Sequence, residues 1–423
     1  MKATPLKDKP RTAVLIAMAV IAVHLVNASL FHLEAPLGER LALAALSLVV
    51  IGAAGSFYVS EGNGWRAAIA LGLGVPAIIV GIGIHAIHVY ELGVEESSFT
   101  GIPVLFAGLA LTGIGGTLLV RCVHTWWRRL FFAPAAIAVV FFLVFPITLG
   151  VFATNVPVVP SDTTENPGDR GLAYEEVSFE TDEGLTLHAW YIPSQNRAAV
   201  ITVHGAGSNR STAMDEAEML ARNGYGVLMV DLEGFGDSDG RANAFGWVGA
   251  RDIHAATAYL RTRNDIDRDR IGGVGLSMGG EVLLQAAGES ADLKAIVAEG
   301  STARTYEDFD EMKNPGVNLA IHFVTGITMR VISGEPTPPP LKEMVQRIAP
   351  RDVLLIGANL DEERELMAMY DDIGGPTFEL WIIPEAKHVG GYDLHREEYE
   401  QRVVAFLNAS LLADATAEAA PAR

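Results

Sequence analysis

Apolar positions along this chain change their rhythm once. From about residue 11 to 155 they come in stretches of roughly 20, the length at which a helix crosses a bilayer core. The stretches are 11–33, 37–59, 65–90, 101–120 and 131–153, and they predict an N-terminal all-α transmembrane bundle of about five helices. Residues 156–171 (VPVVPSDTTENPGDRG) have no periodicity and are rich in proline and acidic residues, the signature of a linker in coil and polyproline II. Beyond it the apolar runs become short. YEEVSFET and LTLHAWYIP read as an antiparallel pair joined at Asp182, Glu183 and Gly184. AAVITVH, GVLMVDL, IGGVGL, AIVAEG, DVLLIGA and FELWII read as buried strands, with helical patterns such as MDEAEMLARNG, GARDIHAATAYLRTR and EVLLQAAG between the central ones. Strands alternating with helices predict a C-terminal α/β domain over 172–412 with a mostly parallel sheet covered on both faces. The alanine-rich end, 413–423, reads as a disordered tail.

Composition supports this division. Half of the 423 residues are hydrophobic, and the mean hydropathy of +0.27 is high for a chain wholly in water. A formal net charge of -20 without a basic stripe excludes nucleic acid as a partner. The single Cys122 excludes an intrachain disulfide and a thiolate metal cluster. Lysine and arginine concentrate on alternate loops, at Lys2, Lys7, Lys9 and Arg11, at Arg66, and at Arg121, Arg128 and Arg129, whereas Glu34, Glu39, Glu91, Glu95 and Glu96 lie in the loops between. With five spans, this asymmetry expects a cytoplasmic N-terminus and an extracytoplasmic C-terminal domain. Among the membrane residues His24, His32, His85 and His88 stand out, since polar groups there are costly. Interhelical hydrogen bonding accounts for them more cheaply than a metal or haem site, so no metal or cofactor is expected.

The chemistry centres on Gly275-Leu276-Ser277-Met278-Gly279, a GxSxG set where an apolar strand runs into a helix. Such a turn strains the serine and exposes its hydroxyl, and glycines let strand and helix approach. An acyl-transfer serine needs a base, an acid to orient the base and donors for the oxyanion. His388, in the turn PEAKHVGG after the last strand, is the candidate base, ahead of His395 in or beside the following helix. Asp361, close after DVLLIGAN, is the candidate acid, with Glu362 and Glu299 as alternatives. The backbone amides of Met278 and Ala206 are the candidate oxyanion donors, Ala206 lying in the glycine-containing loop after AAVITVH.

HGAGSNR, DLEGFGDSDG, GLSMGG and AKHVGGY, in that order, resemble the α/β-hydrolase superfamily, and most of all its bacterial serine esterase, lipase and aminopeptidase-like branch. The resemblance covers about 172–412 and leaves the membrane segments unexplained. It departs at the acid, since the family spaces glycine and aspartate by two residues whereas three separate Gly357 from Asp361. Asp231, Gly234, Gly236 and Ser238 are expected to shape a loop at the rim. Residues 301–345 read as a short cap insertion whose segment VNLAIHFVTGITMRVI covers the acyl pocket, rests on the bilayer or packs as an ordinary helix. The expectation is a membrane-anchored serine hydrolase that cleaves an ester, thioester or amide of a small-molecule or lipid substrate by an acyl-enzyme mechanism. The alternatives are a catalytically idle binding module, and a transporter or haem protein with a regulatory hydrolase domain.

Overall fold

The computed structural model describes residues 13–23, 48, 50–58, 63–91, 101–122, 138, 140–154, 159, 165–240, 245–310, 312, 316–333 and 335–412. The chain divides into two compact units, Met1–Val151 and Phe152–Arg423.

In the first unit the helices Asn63–Glu91 and Gly101–Cys122 pack against each other along four glycines. A Cβ at Gly81 would stand 2.4 Å from the Leu105 amide nitrogen, and one at Gly108 would stand 2.5 Å from that of Ile78. Gly74 and Gly115 are similarly filled by the facing helix, whereas Gly72, Gly113 and Gly116 face open space. The first four repeat at seven residues within each helix, which keeps them on one face and lets the two backbones approach. The large apolar residues Phe106, Leu109 and Val120 point outward instead.

A bundle of five membrane helices is not supported. Among the described residues only Ile102–Arg121 is both long and apolar enough to cross a membrane, and the apolar helix Ala13–Val23 is shorter. The fifth expected span contains a π-helical turn, Val140–Val144, running into the short helix Phe145–Ala153. His24, His32, the N-terminal cations, Glu34, Glu39, Glu95, Glu96, Arg128, Arg129 and the 413–423 tail lie outside the described residues.

The second unit holds an eight-stranded sheet: β1 (Glu175–Glu180), β2 (Thr186–Ile192), β3 (Ala199–Val203), β4 (Gly226–Val230), β5 (Ile271–Leu276), β6 (Ala295–Glu299), β7 (Asp352–Ala358) and β8 (Phe378–Ile383). Its spatial order is β1-β2-β4-β3-β5-β6-β7-β8. β2 runs antiparallel to both β1 and β4, and the remaining pairs are parallel, so the sheet is mixed rather than simply parallel. β1 and β2 follow each other through a tight turn and pair as a hairpin; parallel neighbours need a crossover, and helices supply it.

Alternation along the strands sends side chains to two cores. Ala199, Ile201, Val203, Val353 and Leu355 meet the helices Gly249–Leu260, Met278–Glu289 and Asp361–Gly374 on one face. Val200, Val274, Leu354 and Ile356 meet the helices Met214–Arg222 and Arg396–Leu411 on the other. Burial on both faces explains why these strands read as unbroken apolar runs. The chain leaves β3 for β4 on one side and returns to β5 on the other, so the ends of β3 and β5 form the switch point where open α/β sheets place their sites. The end of the expected linker is ordered. Asn166 caps the turn Pro167–Arg170, and Arg170 pairs with Glu165, Asp215 and Glu218.

The glycine contacts make a direct forecast. Gly108→Leu should destabilise the helix pair by ~2 kcal/mol or more through overpacking, while Gly113→Leu should change the thermal midpoint little. Equal effects of the two would contradict the close-packed face.

Candidate active site

The strand β5 and the helix Met278–Glu289 meet at Ser277, whose backbone sits at φ 53, ψ -119. A non-glycine residue there is costly and persists only when its surroundings over-determine it. They do so on three sides. The Ser277 amide donates to the Glu299 carbonyl at 2.7 Å, and the Ser277 carbonyl accepts from Gly280 at 3.0 Å. A Cβ at Gly275 would stand 2.4 Å from the Gly279 carbonyl, and one at Gly279 would stand 2.2 Å from that of Val203. Both glycines of the motif are therefore places where backbone touches backbone.

His388 follows β8 and faces the serine, with Nε2 2.9 Å from Ser277 Oγ. Its Nδ1 lies 2.7 Å from Oε2 of Glu363. The other carboxylate oxygen of Glu363 accepts from the Ala358 amide at 2.7 Å, and the side chain is 3% exposed. Glu363 sits in the first turn of the helix Asp361–Gly374, where the free amides and the helix dipole favour a negative charge. Its hydrogen bond holds the His388 pKa above the ordinary histidine value, against the opposing effect of burial.

The acid expected at Asp361 is therefore misplaced. The Asp361 side chain is 98% exposed and pairs with Arg364 on the outer surface of the same helix. Glu362 accepts from Asn318 at 2.6 Å. Glu299 is buried, accepts from the Gly391 amide and the Tyr399 hydroxyl, and is pushed up in pKa by that burial. Glu299 thus braces the loop beyond His388. His395 approaches Glu385 instead of the serine.

Glu363 escaped the sequence reading, although a signal for it was present. The buried positions of its helix include Glu363, Leu366, Met367 and Tyr370, a spacing of three, four and seven that puts Glu363 in register with the apolar stripe. Asp361 falls outside that stripe. Gly300 also went unremarked. It adopts φ +68, and a Cβ there would stand 3.0 Å from His388 Cε1, so its bare α-carbon backs the imidazole.

The loop after β3 lies beside the serine, since a Cβ at Gly205 would stand 3.5 Å from that of Ser277. Among the described residues, neither the Ala206 nor the Met278 amide donates to another backbone acceptor outside helices and strands. The loop's His204 is buried and held neutral by burial. Its Nε2 accepts from the Leu232 amide at 3.3 Å, so Nδ1 carries the proton and donates to the Gly205 carbonyl at 2.8 Å. Arg210 bonds Asp231 and Asp237 and stacks 4.4 Å over Trp190. Gly236 passes so close to Asp231 that a Cβ would stand 2.0 Å from its Oδ2, and Ser238 donates to the Asp231 carbonyl. Asp231, Gly236 and Ser238 thus fix the loop.

Taken together, the sheet and the strained serine beside a histidine define a serine hydrolase of α/β-hydrolase architecture, of the esterase or peptidase kind. Residues 182–386 match the family model of Peptidase S15, the X-Pro dipeptidyl-peptidases. The chain is 25% identical over 289 residues to the uncharacterized protein YfhR of Escherichia coli K12, covering 64% of this chain and 95% of that one. It is 29% identical over 134 residues to the alpha/beta hydrolase domain-containing protein WAV2 of Arabidopsis thaliana, covering 30% and 43%. Its fold resembles that of the Pyrococcus furiosus esterase Pf2001, with a TM-score of 0.51 and 23% identity over 61% of this chain and 98% of that one.

Since His388 must be unprotonated to accept a proton, its raised pKa places the acid limb of the pH–rate profile above the ordinary histidine value. Glu363→Gln should move that limb to lower pH and cut kcat by about 10²–10⁴-fold. Asp361→Ala, a surface change, should leave kcat/KM within about twofold. Ester hydrolysis across pH by the two variants measures both, and a larger loss for Asp361→Ala would reverse the assignment.

Proposed function

We propose that this protein is a membrane-anchored hydrolase that cleaves carboxylic esters through an acyl-enzyme on Ser277. The observation that carries the proposal is His388, hydrogen-bonded at 2.9 Å to Ser277 and at 2.7 Å to the buried Glu363. Ser277 Oγ attacks the substrate carbonyl as His388 Nε2 takes its proton. His388 then returns that proton to the leaving alcohol. Glu363 holds the imidazole with Nδ1 protonated and stabilises the imidazolium that forms. The amides of Ala206 and Met278 donate to the oxyanion of the tetrahedral intermediate. Water repeats the sequence on the acyl-enzyme and frees the acid. No cofactor takes part.

Anchoring is supported by the helix Gly101–Cys122, which buries glycine against its neighbour and presents Phe106 and Leu109 outward, the arrangement suited to lipid. With the single span Ile102–Arg121, or any odd number of spans, the cations at the N-terminus favour that end in the cytoplasm and the hydrolase unit outside. A phosphatase fused after Arg423 is then active in cells; an inactive, stably made fusion would contradict that side.

The match to X-Pro dipeptidyl-peptidases supports a second reading, in which the scissile bond is an amide after proline. The two are separated by substrate. 4-Nitrophenyl esters should be cleaved with kcat/KM well above that for an X-Pro-4-nitroanilide, and the reverse order would favour the peptidase. A fluorophosphonate should label the wild type and not Ser277→Ala. No labelling of folded wild type would sink the acyl-enzyme itself.

A further inference from the structure

Beyond the serine, the hydrolase unit contains a cavity of about 350 Å³ between the turn that follows β6 and the cap helix Gly316–Ser333. Trp247, Phe323, Ile327 and Met329 give it apolar walls, and Arg304 lines it too. Arg304 is 7% exposed, yet among the described residues only its Nη2 finds an acceptor, the Gly246 carbonyl at 2.8 Å, and Nε and Nη1 have no hydrogen-bond partner. Buried polar groups are ordinarily satisfied, and a buried guanidinium more strictly than most, because its charge persists at any physiological pH. Of Glu281, the nearby buried carboxylate, Oε1 accepts from the Thr302 amide and hydroxyl. Arg330 adds a second cation to the lining and Glu307 one anion, while the carboxylates of Glu281, Asp308 and Glu289 act on the Arg304 charge from behind the wall without hydrogen-bonding its Nε or Nη1.

Two segments of chain join the cavity's lining to the reacting groups. Gly300 backs His388, and Arg304 lies four positions further along the chain, so the two α-carbons are at most about 14 Å apart. On the other side, Gly246 abuts Met278, since a Cβ there would stand 3.0 Å from its sulfur, and Trp247 follows directly.

We propose that this cavity is a substrate subsite in which Arg304 binds a carboxylate or phosphate borne at the far end of an apolar chain, making the preferred substrates amphiphilic anionic esters. The proposal rests on the hydrolase reading above. A guanidinium with free donors on Nε and Nη1 suits an oxyanion held by charge-assisted hydrogen bonds, and the aromatic walls suit the chain that carries it. Arg304 here determines specificity and takes no part in bond breaking.

Two esters of equal chain length test it: 4-nitrophenyl hexanoate, and mono-4-nitrophenyl adipate, which ends in a carboxylate. The wild-type ratio of kcat/KM, adipate over hexanoate, should be about 10 or more, and Arg304→Gln should lower that ratio by about 10–100-fold. Arg304→Lys, which keeps the charge but not the planar set of donors, should fall between. A ratio near one in wild type, or one unchanged in folded Arg304→Gln, overturns the proposal.

Binding is read separately in Ser277→Ala, so that failure of the acyl-enzyme does not obscure the subsite. Hexyl phosphate should raise the thermal midpoint of Ser277→Ala and not of the double variant with Arg304→Gln, whereas inorganic phosphate should raise neither. No shift with hexyl phosphate, or an equal shift with inorganic phosphate, overturns an anion carried on an apolar chain. Labelling of wild-type Ser277 by a fluorophosphonate alongside such a negative result would leave the hydrolase reading standing and remove the subsite alone.

Discussion

The left-handed backbone at Ser277 is the constraint on which the site depends, because no side chain adopts it without support from every direction. The support is mostly backbone. The β6 carbonyl of Glu299 takes the serine's amide, and β3 comes so near at Val203 that residue 279 has no room for a Cβ. Both strands flank β5 in the sheet, so the conformation of one residue is set by the order of three strands. Strain of this kind, about 1–3 kcal/mol for one residue, is small beside the burial of the two cores that fix those strands.

Glu299 shows how that constraint reaches the histidine. Its carbonyl holds the serine and its carboxylate holds Gly391 and Tyr399, so one residue at the end of β6 positions the nucleophile's turn and the loop that bears His388. Gly300 follows and lies flat against the imidazole. Two buried carboxylates thus stand near one histidine with separate tasks. Glu299 receives neutral donors and burial raises its pKa; Glu363 faces the imidazole and receives a backbone amide within a helix's first turn.

Most of the sheet was legible because each central strand is apolar on both faces and glycine or acidic turns end it. The first hairpin was legible from its turn residues, and the motif order singled out Ser277 and His388, which stand 2.9 Å apart. The acid was not, because the family spacing directed attention to the residues just after Gly357, where Asp361 stands, while geometry depends on which face of the next helix turns inward. A helical period counted from Tyr370 backward reaches Glu363 and misses Asp361. The glycine contacts between the helices Asn63–Glu91 and Gly101–Cys122 were not legible in the sequence. Gly81 and Gly113 are alike in sequence, and their difference arises from which side the neighbouring helix approaches.

An acid carried on a helix differs physically from one carried on a loop. Glutamate reaches one methylene further than aspartate, and that extra freedom would cost rotamer entropy on binding the imidazole unless something else froze it. Here the Ala358 amide does so by occupying Oε1, which leaves Oε2 aimed at Nδ1. A Cβ at Gly357 would stand 3.5 Å from Glu363 Oε1 and 2.5 Å from the Met367 sulfur, so the end of β7 must be bare for the helix to sit close enough. The glycine at the end of β7 therefore acts on the helix's approach, and which carboxylate meets His388 follows from that approach rather than from a fixed count of residues.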